Sequence, residues 1–123
     1  MTMPAQVPTV DASEAARLVR EDPSGPILLD VRETNEFLQV RAPGAVLVPT
    51  SIFMNRVEDL PSDRPILVIC HTGARSAAVT AYLIRAGRGD VSNVAGGMVA
   101  WERAGLPIRH GPLDPGEGDL PAG

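Results

Sequence analysis

The stretch Ile66-Leu67-Val68-Ile69-Cys70-His71-Thr72-Gly73-Ala74-Arg75-Ser76 decides the fold. Its first five residues form an apolar run of strand length that does not alternate, the pattern of a strand buried on both faces of a parallel sheet. Residues 75–86 then read as a helix. Ala77, Ala78, Val79, Ala81, Leu83 and Ala86 make it apolar on most sides, so a buried helix packed close to the sheet is expected. Gly87 suits the left-handed residue that ends such a helix. Between strand and helix, Gly73 permits a tight curl.

Outward from this unit the pattern repeats. Residues 27–31 (Ile-Leu-Leu-Asp-Val) form a second unbroken apolar strand, with shorter ones at 45–48 and 91–94 and an edge strand at 7–10. Asp11 with Glu14 marks a helix start, followed by an apolar stripe of Ala15, Leu18 and Val19. Further helices are expected near 34–40, 52–60 and 98–104. Strands alternating with helices define an α/β domain with a mainly parallel central sheet. The boundaries read as an N-terminal tail (1–8), one domain (9–108) and a C-terminal tail (109–123). The last holds Pro, Gly and acidic residues and little to bury, so it is expected to be flexible.

The 123 residues suit one domain, and 44% hydrophobic with 21% charged residues is an ordinary globular mixture. The net charge of -4 offers no basic face for nucleic acid. All eleven cations are Arg, so no lysine is available for a Schiff base or a phosphate-binding Walker loop. The single cysteine excludes an internal disulfide and points to a reducing compartment. With no leader-like start and no apolar run of membrane-spanning length, a cytoplasmic protein without membrane contact is expected.

A lone cysteine is most often a small buried hydrophobe. Cys70, however, ends a buried strand, and open α/β sheets bind ligands at the carboxyl ends of their strands. In the loop that follows, successive N–H groups can turn inward as an anion nest. A helix N-terminus and Arg75 add positive charge. Each favours the thiolate, so the thiol of Cys70 is expected to be more acidic than usual and nucleophilic. The arginine follows as C-x4-R, one residue earlier than in the C-x5-R cup that surrounds a phosphate in tyrosine phosphatases. The tighter cup suits a single sulfur atom.

The string from Cys70 to Ser76 resembles the C-x-x-G-x-R-S active-site loop of single-domain rhodaneses. Asp30-Val31-Arg32 with Glu36-Phe37 is similar to that family's D-V-R-x-x-x-E-[FY] segment. Pro43-Gly44-Ala45 and the pattern Gly96-Gly97, Trp101, Gly105, Pro107 resemble two further family landmarks. One departure is Val40-Arg41-Ala42, where the family commonly has G-H-I, and Arg41 is expected to alter the surface near the site. The resemblance implies a three-layer α/β/α fold and a thiosulfate sulfurtransferase. Cys70 would take sulfur from thiosulfate or a related persulfide donor and pass it to cyanide, a thiol or a partner protein. No metal or cofactor is implied.

For the remaining residues, Arg75 is assigned a substrate-binding or loop-ordering role. His71, Thr72, Gly73, Ala74 and Ser76 are assigned to the loop lining. Asp30, Arg32 and Glu36 are read as support, with Arg32 expected to pair with Glu36. Trp101 is read as packing and His110 as solvated; Cys70, His71 and His110 lack the number and spacing of a metal site. The competing readings are a phosphatase or arsenate reductase and a non-catalytic module of the same fold.

Overall fold

Successive side chains of a strand face opposite sides of a sheet, so Ile66, Val68 and Cys70 share one face while Leu67 and Ile69 share the other. The computed structural model describes residues 7–121 and follows this parity. Ile66, Val68 and Cys70 join Leu29, Val31, Phe53, Val79 and Leu83 in one core. Leu67 and Ile69 join Ala12, Ala15, Leu28, Phe37, Met98 and Trp101 in the other. Full burial of each such aliphatic side chain contributes about 1.5–3 kcal/mol.

Five strands lie between these cores: β1 (Thr9–Val10), β2 (Ile27–Asp30), β3 (Val46–Leu47), β4 (Ile66–Ile69) and β5 (Val91–Val94). Their order is β1-β5-β4-β2-β3, and every pairing is parallel. Helices α3 (Phe53–Arg56) and α4 (Ala74–Arg85) contribute to the first core. Helices α1 (Ala12–Glu21), α2 (Thr34–Gln39) and α5 (Gly97–Arg103) contribute to the second. The expected three-layer α/β/α architecture is present, and β4, the strand that ends at Cys70, lies in the middle of the sheet. The start of α1 is as read: Asp11 accepts the Glu14 N–H at 2.7 Å.

Helix α4 departs from expectation. Only Ser76, Val79, Thr80 and Leu83 are buried, and Ala78 is exposed. Alanine is a strong helix former that tolerates solvent, so a run of alanines marks helicity rather than burial. Gly87 ends the helix as expected, at φ +104°, with the Arg88 N–H reaching the Leu83 carbonyl at 2.9 Å. The helix expected over 52–60 is instead a single α-turn, α3, between two 3-10 turns (Thr50–Ile52 and Val57–Asp59). Leu60, held extended before Pro61, stops it.

The C-terminal segment corrects two readings. Expected to be flexible, it is docked from Arg109 to Leu120, while the expected N-terminal tail lies outside the described residues over 1–6. Arg41 and Arg109 exchange backbone hydrogen bonds at 2.9 Å, and the Leu47 N–H of edge strand β3 donates to the Gly118 carbonyl at 2.7 Å. Arg41 does not reach the surface near the loop. It is fully buried beneath this segment, donating to Glu117 at 2.6 and 3.1 Å and to the Gly111 carbonyl at 2.8 Å. Leu120 packs on the first core. A segment poor in apolar residues is thus held by one buried cation and by backbone bonds that cover a strand edge.

Removing one partner of a buried ion pair strands the other. Arg41→Ala is therefore expected to lower the urea midpoint and to open the chain to cleavage after Glu117 by a glutamate-specific protease, while the parent resists. Equal cleavage of both proteins would contradict the docked segment.

Candidate active site

Cys70 leaves β4 at the carboxyl edge of the sheet and is 1% exposed. Its sulfur is buried but not left among hydrocarbon alone. The Gly73 N–H donates to Sγ at 3.1 Å and the Ser76 N–H at 3.3 Å, and the Ser76 hydroxyl lies 3.2 Å away. Burial pushes the thiol up. The Ser76 hydroxyl, with the N–H groups of Ser76, Gly73 and Thr72, outweighs burial and holds it below its ordinary value.

Glycines set the curl. Gly73 stands at φ +105° as the residue that caps α4. Gly96 and Gly97, at φ +73° and +55°, open α5 directly beneath the loop. A Cβ on Gly97 would fall 2.6 Å from the His71 carbonyl oxygen. That contact is closed because α5 reaches up to the loop: the Met98 N–H donates to the Cys70 carbonyl at 2.8 Å, and the Val99 N–H to the His71 carbonyl at 3.0 Å. In a trans peptide the N–H opposes the C=O. Drawing those two carbonyls toward α5 therefore turns the His71 and Thr72 N–H groups the other way. In the sequence Gly96-Gly97 stood only as a landmark; a glycine pair opening a helix is the signal for this close approach.

Arg75 is not a free cation. Its guanidinium makes a two-pronged pair with the Glu36 carboxylate at 2.7 and 2.8 Å. This pair drops Glu36 to about 2 against the opposing effect of partial burial, with the Glu33 N–H helping. The carboxylate therefore contributes fully above its unfolded value of about 4.3. That contribution is lost as the pH falls through about 2. The expected pairing of Arg32 with the Glu36 carboxylate does not form. Arg32 instead grips Asp30 at 2.8 and 3.0 Å and donates to the carbonyls of Glu36 and Val40 at 3.3 and 2.7 Å. Asp30 is wholly buried and would otherwise stand uncompensated.

The structure thus gathers Cys70, Gly73 and Ser76 around one sulfur and ties Arg75 to Glu36 beside it. His71, Thr72 and Ala74 are exposed on the rim. Trp101 is buried and donates to the Pro107 carbonyl at 2.8 Å, and His110 is exposed. A feature the sequence did not signal is a groove of about 300 Å³ bordering Arg75, walled by Phe53, Met54, Val79 and Tyr82. Among the described residues, no three metal-binding side chains converge and no helix is long and apolar enough to cross a membrane.

A parallel sheet that delivers a lone thiol into a ring of amides defines a class of α/β domain suited to thiol chemistry. The chain belongs to the rhodanese family: residues 11–104 match the model of the rhodanese-like domain. It is 40% identical over 82 residues to a sulfurtransferase of Allochromatium vinosum, covering 67% of this chain and 77% of that protein. It is 35% identical over 82 residues to the thiosulfate sulfurtransferase GlpE of Actinobacillus succinogenes, covering 67% and 74%. A rhodanese-related protein of Thermoplasma volcanium superimposes with a TM-score of 0.73 at 27% identity, covering 83% of this chain and 97% of that one.

The donors around Sγ should make Cys70 half-alkylated by iodoacetamide at a pH below the ~8.5 of a free cysteine. Ser76→Ala should raise that midpoint by about one unit, the scale of one hydrogen bond to a charged group. An unchanged midpoint would show that the hydroxyl does not support the thiolate.

Proposed function

We propose that this protein is a sulfurtransferase that carries a sulfane sulfur as a persulfide on Cys70. It takes the sulfur from thiosulfate or a related persulfide donor and delivers it to cyanide or a thiol. The observation that carries this reading is the convergence of the Gly73 and Ser76 N–H groups and the Ser76 hydroxyl on one buried sulfur.

In the first step the Cys70 thiolate attacks the outer sulfur of thiosulfate. An S–S bond forms, the sulfur–sulfur bond of thiosulfate breaks, and sulfite leaves with the electron pair. In the second step cyanide or a thiolate attacks the outer sulfur of the persulfide. The Sγ–S bond breaks and its electron pair returns to Cys70, restoring the thiolate. No net redox change and no cofactor are needed. Backbone N–H groups of the loop stabilise negative charge as it moves between the two sulfurs, as donors in an oxyanion hole do. Cys70 is the nucleophile. Arg75 orders the loop through Glu36 and presents its outer face to an anionic donor. His71, Thr72, Gly73, Ala74 and Ser76 line the loop, and Asp30, Arg32 and Glu36 support it.

A phosphatase or arsenate reductase is disfavoured by the same geometry. The C-x4-R loop is one residue shorter than the cup that surrounds a phosphoryl group, and its inward N–H groups converge on the sulfur of Cys70 itself. Delivery to a thiol on a partner protein is a second reading, favoured by the apolar groove that borders Arg75. A lone reactive thiol works best in a reducing compartment, so we place the protein in the cytoplasm.

Incubation with thiosulfate should add one sulfur atom to the intact protein, removable by cyanide and readable by mass spectrometry. Cys70→Ser should lose both the adduct and thiosulfate:cyanide turnover while its circular dichroism stays that of the parent. Absence of the adduct on a protein whose thiol titrates as free would refute the persulfide mechanism.

A further inference from the structure

Asn93 is an unusual choice for its position. It belongs to β5, next to the central strand, and is 7% exposed. Asparagine is a poor strand former, and an aliphatic residue would fill the site at lower cost. Asn93 stands in register with Val68. Its side chain therefore lies on the same face of the sheet as Val68 and, two residues on, Cys70. There Nδ2 approaches the Gly73 carbonyl oxygen at 3.5 Å, while Oδ1 is buried with no hydrogen-bond partner among the described residues. Native structures rarely leave a buried acceptor unpaired without a reason in the site it serves.

The place that Asn93 reaches is the end of the sulfur-binding curl. Gly73 donates its own N–H to Sγ and accepts the first helical bond of α4 from Ala77 at 3.0 Å. Space beneath it is narrow, since a Cβ there would sit 3.3 Å from the Gly96 nitrogen. We propose that Asn93 is a positioning residue for Cys70: its amide braces the Gly73 carbonyl from below and so keeps the Gly73 and Ser76 N–H groups aimed at the sulfur. This rests on Cys70 as the reactive thiol. The role is separate from folding, because the amide adds an unpaired polar atom to the core rather than a well-packed surface.

Asn93→Leu separates the two. It removes the donor and the orphaned oxygen and keeps the branched outline of the side chain. Relief of the buried polar atoms offsets the added bulk of two methyl groups, so the melting temperature should stay near that of the parent. The charged groups around the thiol are untouched: Arg75 from α4, Glu36 from α2, the Asp30–Arg32 pair at the end of β2, and His71 in the loop. With the brace gone, the pH midpoint of Cys70 alkylation should move up by about half a unit or more. The initial rate of sulfur loading from thiosulfate at pH 7 should fall about tenfold. Asn93→Ala, which also cannot donate, provides the same readings if the leucine variant fails to fold. A midpoint equal to that of the parent in a folded variant would overturn the proposal. Alkylation needs no sulfur donor. A shifted midpoint in a protein that never accepts sulfur would support the role of Asn93 and refute the sulfurtransferase reading alone.

Discussion

Cys70 holds its sulfur almost wholly out of water, so any negative charge on that atom has to be balanced by groups the chain supplies. The groups within reach are the N–H groups of Gly73 and Ser76 and the Ser76 hydroxyl, each 3.1 to 3.3 Å away. Desolvation opposes the thiolate, and these donors exceed that opposition. An inward-facing set of amides requires a loop wound against ordinary backbone preference, and much of the surrounding structure serves that winding.

The winding is braced from below and from the side. From below, Gly96 and Gly97 bring α5 into contact with the loop, and the Met98 and Val99 N–H groups draw the Cys70 and His71 carbonyls away from the rim. From the side, the Glu36–Arg75 pair ties the first turn of α4 to α2. Helix α2 is anchored in turn by Arg32, which neutralises buried Asp30 and caps the last carbonyls of the helix. Two ion pairs thus do different work. The partly exposed one fixes the position of a loop residue, while the buried one joins the end of β2 to the end of α2.

The strand–loop–helix unit was legible because its signals are local. An unbroken apolar run, a glycine in the curl and a helix-ending glycine each act within a few residues. Relations that depend on the choice among several partners were not legible. Arg32 had Asp30 and Glu36 both within reach along the chain, and only burial decides that Asp30 takes it. Arg41 and Glu117 stand 76 positions apart, and nothing in either neighbourhood signals the other. Composition misled over the C-terminal segment because its docked part, from Arg109 to Leu120, is held mainly by hydrogen bonds and the Arg41–Glu117 ion pair, with little apolar trace beyond Leu120. The alanines of α4 misled in the opposite direction, since they favour a helix without requiring it to be buried. Asn93 carried no pattern at all; it gains meaning only when β5 is laid beside β4.

The chemistry of Cys70 turns on whether the loop amides bond to a charged sulfur. Nitrogen-edited NMR across the titration of Cys70 reads this directly. The amide protons of Gly73 and Ser76 should move downfield together as the thiolate forms, and return when Cys70 is alkylated. Resonances that stay fixed while the thiol titrates would contradict this, because the sulfur would then gain its charge without those donors.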